Sequence, residues 1–210
     1  MENRHYFTQN NDDLASEPKI IHAKIMGESY QFKTDNGVFS KDYLDYATKI
    51  LLENLTLPEV EGDILDVGCG YGPIGIFLAK KSGKKPYMLD VNRRALELAK
   101  HNVLVNKVDG IVLESNCLDA VLNRRFSCVV TNPPIRAGKQ IVYQIFAQSY
   151  EVLLPNGELW IVIQQKHGAP SAIKKLEEIF RKVEVIYKKK GFFVIKCTKI
   201  TLKKCTINLQ

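Results

Sequence analysis

Residues 63–72 read Asp-Ile-Leu-Asp-Val-Gly-Cys-Gly-Tyr-Gly, a short apolar strand over Asp63–Val67 that runs directly into a loop with three glycines. Glycine lets a backbone approach a ligand closely, and open α/β sheets bind ligands beyond the carboxyl ends of their strands. The spacing is GxGxG, whereas the dehydrogenase fingerprint GxGxxG would place a glycine where this chain has Pro73. A loop of this kind is also compatible with a purely structural tight turn.

Strands and helices alternate on the carboxyl side of this loop. We predict helices at Ile74–Lys81, Arg93–Val105, Ile141–Leu154 and Ser171–Arg181, and strands at Pro86–Leu89, Ile111–Glu114, Phe126–Thr131 and Glu158–Gln164. This order predicts a parallel sheet with helices on both faces. The last two strands, Val183–Tyr187 and Phe192–Lys199, are separated by four residues, too few for a crossover helix, so they must be antiparallel. An α/β sheet of seven strands, mostly parallel and closed by a C-terminal antiparallel hairpin, is typical of the Rossmann-like methyltransferase fold.

The part of the chain before the glycine loop is organised differently. Residues 1–18 are polar and predict a flexible leader, and residues 19–210 predict a single domain. Two alternating runs, Ile20–Met26 and Ser29–Thr34, predict a short N-terminal β-hairpin. Ser40 is the predicted N-cap of an amphipathic helix over Asp42–Leu55.

The composition limits the class of protein. The 210 residues suffice for one α/β domain. There is neither a charged-then-apolar leader nor an apolar run long enough to span a bilayer, so we expect a soluble, cytoplasmic protein without membrane contact. The five cysteines form no CxxC pair, which predicts reduced thiols and no metal site.

The positive charge is concentrated at the C-terminal end. The net charge is +7, but residues 164–210 hold twelve Lys or Arg against three Glu, a net +9. The first 163 residues hold eighteen basic and twenty acidic side chains, a net −2. Clustered positive charge favours a polyanionic partner such as a nucleic acid. A solvated lysine-rich surface is the simpler alternative.

Two further strand ends carry polar residues that suit a nucleoside ligand. Asp90, followed by Val91, ends the second strand twenty residues beyond Gly70, where a carboxylate can accept both hydroxyl protons of an adenosine ribose. The alternative is an Asp that caps the following helix. Asn116 and Cys117, after the third strand, could place a polar group against the adenine edge, although a plain turn explains them as well.

The most specific pattern is Asn132-Pro133-Pro134-Ile135, at the end of the fourth strand. Two prolines fix φ and remove two N–H donors, so the loop is stiff and presents carbonyl groups. If the Asn132 side-chain oxygen and the Pro133 carbonyl each accept one N–H of an amine, the nitrogen lone pair is directed at an incoming methyl group without a strong base. The alternative is a strand-ending proline turn.

These motifs resemble those of a known family. Asp66–Gly72, Asp90 and Asn132–Ile135 are similar to the S-adenosylmethionine and target-amine motifs of the "methyltransferase small" family, and Gly37-Val38-Phe39-Ser40 is similar to its upstream cofactor motif. The resemblance runs from about residue 19 to residue 199 and is strongest to the 16S rRNA guanine-N2 methyltransferases. It implies a single catalytic domain over 19–210, in which residues 19–40 supply the hairpin and the upstream motif.

Together with the strand ends, the resemblance implies a role for each site residue. S-adenosylmethionine would be held by Phe39, Asp66, Gly68, Cys69, Gly70, Gly72, Asp90, Val91, Asn116, Cys117 and Asn132. The exocyclic amine of a guanine would be received by the catalytic loop of Asn132, Pro133, Pro134 and Ile135. Arg136, Lys139 and Lys166 follow strands at the same edge, where phosphates of ribosomal RNA or of the small ribosomal subunit would pass, and are predicted substrate-binding residues.

The chain departs from the family pattern in two ways. Ile135 stands where the family usually has an aromatic residue that stacks on the target base. This argues against an adenine-N6 or a glutamine substrate and leaves stacking to another ring such as Phe39 or Tyr71. Some ribosomal relatives also carry a second, degenerate copy of the domain, so their mode of substrate recruitment does not carry over.

The alternative functions are a methyltransferase of a protein glutamine amide or of another RNA, and a non-catalytic RNA-binding protein of the same fold. Pro73 and the terminal hairpin disfavour a dehydrogenase.

Overall fold

The computed structural model describes residues 8–9 and 14–200 of the chain. Within that range, strands and helices follow one another as the sequence indicates. In chain order they are β1 Lys19–Ile25, β2 Glu28–Thr34, α1 Tyr46–Asn54, β3 Ile64–Val67, α2 Pro73–Ser82, β4 Pro86–Asp90, α3 Arg93–Val105, β5 Ile111–Glu114, β6 Phe126–Thr131, α4 Lys139–Val152, β7 Leu153–Gln164, α5 Ala169–Ile179, β8 Lys182–Lys189 and β9 Phe192–Thr198.

Seven of these strands form one sheet in the order β5-β4-β3-β6-β7-β9-β8, and β1 pairs with β2 in a separate hairpin. Strands β3 to β7 run parallel, and β9 runs antiparallel to both of its neighbours, β7 and β8. The predicted fold class is therefore confirmed: an α/β fold with a mostly parallel, seven-stranded sheet, a C-terminal antiparallel hairpin and a short N-terminal β-hairpin.

The order of the strands reverses at β3. The chain moves outward from β3 to β4 and β5, then returns past β3 to β6 and β7. Such a reversal sends the adjoining loops in opposite directions and opens a crevice beyond the carboxyl ends of the strands. The glycine loop after Val67, the residues after Asp90 and the loop after Thr131 all leave the sheet at this edge. The topology thus brings three sequence motifs to one place.

Both faces of the sheet are covered, as the alternation of side chains in β3 shows. Ile64 belongs to a buried hydrophobic cluster with the N-terminal hairpin and helices α1 to α3, whereas Leu65 belongs to a second cluster with α4 and α5. Both side chains are fully buried. Because successive residues of a strand point to opposite faces, a sheet covered on both sides gives nearly continuous apolar runs in the sequence.

Helix α1 begins later than predicted. We expected a helix over Asp42–Leu55 with Ser40 as its N-cap, but the N-cap is Asp45, and that prediction was wrong. The Asp45 carboxylate accepts from the backbone N–H of Thr48 at 2.8 Å, which satisfies a donor of the first helical turn. Ser40 instead donates its hydroxyl to the Tyr43 carbonyl at 2.6 Å, within the turn that precedes the helix.

Strand β7 begins earlier than predicted, at Leu153 instead of Glu158. The turn predicted at residues 155–157 is an irregularity inside the strand. Leu153 pairs with Phe126, and regular pairing resumes where Glu158 meets Cys128. Extra residues on one strand are accommodated as a bulge, which the turn-forming residues Pro-Asn-Gly permit without ending the strand.

Residues 14–17 contact the domain through Asp35. Ser16 donates its hydroxyl to one carboxylate oxygen of Asp35 at 2.7 Å, and the backbone N–H of Glu17 donates to the other at 2.6 Å. Residues 1–7 and 10–13 of the predicted leader lie outside the described residues. Flexibility over 1–18 and a domain boundary at residue 19 therefore stay predictions. None of the described helices is long and apolar enough to cross a membrane.

The N-terminal hairpin is joined to the sheet domain by Asn102 of α3, which is fully buried. Its side-chain oxygen accepts from the Lys33 N–H at 2.7 Å. Its nitrogen donates to the carbonyls of Lys33 and Tyr71 at 2.9 and 2.8 Å. The bonds to the N–H and the carbonyl of Lys33 are the two that a neighbouring strand would make. Asn102 therefore connects β2, α3 and the glycine loop.

Replacing Asn102 with Ala should lower the free energy of unfolding by roughly 2–4 kcal/mol, because backbone groups inside the protein lose their hydrogen-bond partner. Urea unfolding followed by the fluorescence of Trp160, which is 1% exposed, measures the loss. Lys100→Ala, at an exposed position of the same helix, is the matched control and should change stability by less than about 0.5 kcal/mol. An Asn102→Ala variant as stable as the parent would contradict this role.

Candidate active site

A cavity of about 620 Å³ lies at the carboxyl edge of the sheet, a size in the range of small-molecule sites. Its walls are formed by the glycine loop, residues 38–40, the start of α1 and the loop after β6. The predicted site residues in its lining are Phe39, Gly68, Cys69, Gly70, Asp90, Val91, Asn116, Cys117, Asn132, Pro133, Pro134, Ile135 and Arg136.

Other predicted residues lie next to the cavity without lining it. Asp66 is fully buried beneath the glycine loop. A Cβ on Gly72 would touch a side chain of α2 at 3.2 Å, so this glycine serves the packing of the loop against the helix. Lys139, at the start of α4, and Lys166, in the turn after β7, are exposed at the same edge of the sheet.

The glycine loop is attached to the end of β4. The N–H groups of Gly68 and Cys69 both donate to the Leu89 carbonyl at 2.8 Å, and the N–H of Gly70 donates to the Asp90 carboxylate at 2.8 Å. Gly68 and Gly70 have φ values of 71° and 55°, and a Cβ on either would meet nothing within 4 Å. Positive φ favours glycine, and the open space above the loop leaves its backbone accessible to a ligand.

Asp90 supports the loop and also lines the cavity. Its Oδ1 accepts from the Asn92 N–H at 2.9 Å. The N-cap of α3 is Asn92, whose side-chain oxygen accepts from the Ala95 N–H at 3.1 Å, so the predicted alternative of a capping Asp90 does not hold. Burial raises the pKa of Asp90, and backbone N–H donors, chiefly Asn92 and Gly70, oppose the shift. A carboxylate has about four acceptor positions, so Asp90 keeps capacity for a ligand.

Asp66 places a carboxylate in fully buried surroundings. Its Oδ2 accepts from the Gly75 N–H at 2.9 Å, whereas Oδ1 is buried with no hydrogen-bond partner among the described residues. Burial is the main cause of a pKa raised to about 7, the bond from Gly75 opposes the shift, and the negative charge of Asp90 adds to it. An unpartnered buried carboxylate oxygen favours a cationic or hydrogen-bond-donating ligand nearby.

Asn132 lies between the cavity and the start of α1. Its side-chain nitrogen donates to Asp45 Oδ2 at 3.0 Å and to Thr48 Oγ1 at 3.1 Å. The loop that follows turns tightly, with the Pro133 carbonyl accepting from the Ile135 N–H at 2.8 Å. Because a carbonyl oxygen has two lone pairs, the Pro133 carbonyl can accept a second hydrogen bond.

Several residues of the site were not found from the sequence. Asp45, Thr48, Gln164 and Phe192 also line the cavity. An Asp ahead of an apolar helical run is an N-cap pattern, which could have placed Asp45 at the start of the helix. Nothing in that pattern indicates a contact with Asn132, 87 positions further along the chain.

Two aromatic rings are available to a flat ligand. Phe39 is 39% exposed, and Phe192 packs edge-on against Tyr46 with ring centroids 5.4 Å apart. Both rings line the cavity. Tyr71, the other ring considered for stacking, also lines the cavity, but it is 2% exposed and packs against Phe32 at a centroid distance of 5.6 Å, so it serves mainly the core.

Basic side chains surround this edge of the sheet. Lys188-Lys189-Lys190 forms the tip of the β8-β9 hairpin, and all three are exposed. The Gln165 N–H donates to the Gly191 carbonyl at 2.7 Å, which holds the tip beside the turn after β7. Arg136 and Lys139 are exposed where the loop after β6 enters α4. Part of the C-terminal excess of positive charge therefore lies next to the cavity.

The thiols of the site are not nucleophiles. Cys69 and Cys117 are buried, and burial raises the pKa of both, so they stay protonated near neutral pH. In the part of the chain that the structure describes, no group of three or more His, Cys, Asp or Glu side chains could hold a metal ion.

Asp66 should make folding pH-dependent. An Asp in an unfolded chain titrates near pH 3.9, whereas Asp66 in the folded chain titrates at about 7. Between these values the folded state keeps a proton that the unfolded state has released, so the free energy of unfolding falls as the pH rises and levels off above about 7. Urea unfolding of the parent and of Asp66→Asn over a pH series measures this. Between about pH 3.9 and 7, the free energy of unfolding of the parent should fall relative to that of Asp66→Asn. If the plots of free energy of unfolding against pH run parallel for the two proteins, the raised pKa of Asp66 is contradicted.

The chain matches known proteins over most of its length. The family model described as "Methyltransferase small domain" matches residues 29–196. The chain is 44% identical over 199 residues to "Uncharacterized protein YbxB" of Bacillus subtilis (strain 168), covering 93% of this chain and 98% of that protein. It is 37% identical over 159 residues to "Ribosomal RNA small subunit methyltransferase C" of Salmonella arizonae, covering 73% of this chain and 45% of that protein.

A solved structure agrees with these matches. The T. Thermophilus 16S rRNA N2 G1207 methyltransferase (RsmC), in complex with AdoMet and guanosine, superposes with a TM-score of 0.79 at 25% identity, over 89% of this chain and 52% of that chain. The chain thus spans about half the length of the relatives that are named as ribosomal RNA methyltransferases. From the family match, the sheet topology and the glycine loop at the cavity, the chain belongs to the methyltransferase small domain family and is an S-adenosylmethionine-dependent methyltransferase.

Proposed function

We propose that this enzyme methylates the exocyclic N2 amine of a guanine in ribosomal RNA of the small subunit, in the cytoplasm. The observation that carries the proposal is that Asn132 and Pro133 form a wall of the same cavity as the glycine loop and Asp90. The relatives named as 16S or small-subunit ribosomal RNA methyltransferases support this substrate class. A protein glutamine amide or another RNA offers a similar nitrogen and is the alternative substrate.

The residues of the cavity fit S-adenosylmethionine. When bound, this cofactor supplies an electrophilic methyl group on a positively charged sulfur. Asp90 would accept the ribose hydroxyls, and the open space above Gly68 and Gly70 would admit the cofactor against the backbone. Asn116 would meet the adenine edge. The unpartnered Oδ1 of Asp66 lies beneath the loop as a polar atom that a hydrogen-bond donor of the ligand would satisfy.

The amine of guanine is a poor nucleophile because its lone pair is delocalised into the ring. The Asn132 oxygen and the second lone pair of the Pro133 carbonyl would each accept one N–H, which holds the nitrogen with its lone pair toward the methyl group. Forming the N–C bond would break the bond between the methyl carbon and the sulfur and leave an extra proton on the nitrogen, and this proton would pass to water. The stiff proline loop keeps both acceptors in place, so the enzyme contributes position and not a strong base.

The target base must leave its stack to reach this wall, so an unpaired or flipped guanine is the expected substrate. Ile135 offers an apolar side chain but no ring, which leaves stacking to Phe39 or Phe192. Phe192 directly follows the turn at Lys190-Gly191. One hairpin would therefore supply both a ring for the base and lysines for the neighbouring phosphates.

Transfer of a labelled methyl group tests the function. The protein is incubated with S-adenosylmethionine labelled in the methyl group and with small ribosomal subunits, and the RNA is digested to nucleosides. We expect the label in N2-methylguanosine. Label in a protein glutamine or in transfer RNA would move the function to an alternative substrate. Cofactor binding without transfer to any of these would contradict the proposed substrate.

Asn132→Ala should lower the single-turnover rate of this transfer by two or more orders of magnitude, about 3 kcal/mol in transition-state free energy. The affinity for the cofactor should change little, because the amide oxygen is used for the substrate, and the melting temperature should fall only by the loss of the bonds to Asp45 and Thr48. Asn54→Ala is the matched control, since Asn54 donates to the Ile50 carbonyl within α1, and it should keep normal turnover. A structural Asn132 would behave in the opposite way and lose melting temperature before activity.

Replacing Lys188, Lys189 and Lys190 with Gln should weaken RNA binding and leave the cofactor affinity unchanged. The slope of log affinity against log salt should become shallower by about 0.7 for each RNA phosphate that the protein no longer neutralises. The control variant replaces Lys81, Lys85 and Lys107, at the amino edge of the sheet, with Gln. It loses the same charge and should keep most of the RNA affinity. If the RNA affinity changes neither with salt nor with the hairpin substitutions, these lysines form a solvated surface and do not contact RNA.

A further inference from the structure

We infer that Asp45 and Thr48 are positioning residues that act through Asn132, holding its amide so that the oxygen is presented to the cavity. Both side chains contact the Asn132 nitrogen, and both line the cavity. The inference rests on the proposed function, because it concerns how the amine of the substrate is received. We refer to these two residues as the Asp45–Thr48 pair.

The orientation of an asparagine amide is set by its partners, because turning it over hardly changes its shape. The two N–H groups of Asn132 are used by Asp45 Oδ2 at 3.0 Å and by Thr48 Oγ1 at 3.1 Å. A carboxylate accepts hydrogen bonds and donates none. In the reversed orientation the amide oxygen would face the carboxylate oxygen of Asp45, so two acceptors would meet.

With both N–H groups engaged, the oxygen is the polar atom of Asn132 that remains for the cavity. It receives no hydrogen bond from the residues that the structure describes. The N–H of an amine needs an acceptor, and a reversed Asn132 would present a donor to it. The Asp45–Thr48 pair thus selects the one orientation in which Asn132 can receive the substrate.

The pair is itself held by the start of α1. Asp45 is the N-cap, and the carboxylate oxygen that binds Asn132 also accepts from the Thr48 N–H at 2.8 Å. Thr48 lies in the first helical turn and is 4% exposed. Movement of the Asp45 side chain would undo the cap of the helix, and burial restricts the Thr48 side chain, so the pair is a rigid support. An anion behind the amide also polarises it and makes its oxygen a stronger acceptor.

Variants can remove each partner and retain the helix. Thr48→Val removes the hydroxyl oxygen at nearly the same size, and Asp45→Ser keeps an N-cap residue that is too short to reach Asn132. Each should lower kcat for methyl transfer by about tenfold, with the affinity for S-adenosylmethionine unchanged. Thr48→Ser restores the hydroxyl and should recover most of kcat. Thr198→Val, at the end of β9, is the matched control.

A double-mutant cycle separates positioning from a structural role. In an Asn132→Ala background, Thr48→Val should cause no further loss of kcat, because its effect passes through the Asn132 amide. If Thr48 served stability alone, the two losses would multiply and the melting temperature would fall with them. Multiplying losses would therefore overturn the inference.

Nuclear magnetic resonance reports on the contact without any substrate. The side-chain amide signal of Asn132 is identified by its absence from the isotope-labelled Asn132→Ala protein. In Thr48→Val and in Asp45→Ser its protons should shift and exchange faster with water, and in Thr48→Ser they should not. A signal that is the same in all variants would overturn the inference. A parent protein that methylates no RNA, with a signal that responds as expected, would support the contact and refute the proposed function.

Discussion

Three backbone N–H groups hold the glycine loop against the end of β4, and the geometry of the site follows from this attachment. Gly68 and Cys69 donate to the Leu89 carbonyl, and Gly70 donates to the Asp90 carboxylate. The loop cannot widen without leaving the carbonyl of the fully buried Leu89 unpaired, which costs more than the bonds contribute when made. The same attachment puts Asp90 in the cavity wall and encloses a second carboxylate, Asp66, beneath the loop. One acid is thus available to a ligand, while the other is kept from water.

Asparagine side chains attach the N-terminal part of the chain to the sheet domain. Asn92, Asn102 and Asn106 donate to carbonyls within residues 31–37, and Asn102 also accepts from a backbone N–H there. An amide carries a donor and an acceptor on a short stem, so it can replace a backbone partner where two elements meet without pairing as strands. Asn132 makes a comparable link to the start of α1. The upstream motif and the proline loop are therefore held in one body.

The antiparallel hairpin that closes the sheet also decides where the positive charge lies. Because β9 inserts between β7 and β8, the turn at Lys190-Gly191 comes to the carboxyl edge, beside the end of β7. An excess of lysine that is only a compositional feature of the sequence becomes a local positive field beside the cavity, of the kind that attracts phosphates.

By itself the sequence determined the order of the elements, the class of the sheet and the glycine loop after β3, because these depend on local periodicity and on what glycine and proline permit. The bounds of α3, β5 and β6 follow from such patterns alone. Only the tertiary structure decided that Asp45 and not Ser40 begins α1, and that the ring of Tyr71 belongs to the core. It alone showed which groups hold Asn132. Those hydrogen bonds join residues 84 and 87 positions apart, and a bond between distant residues leaves no periodic trace in either segment.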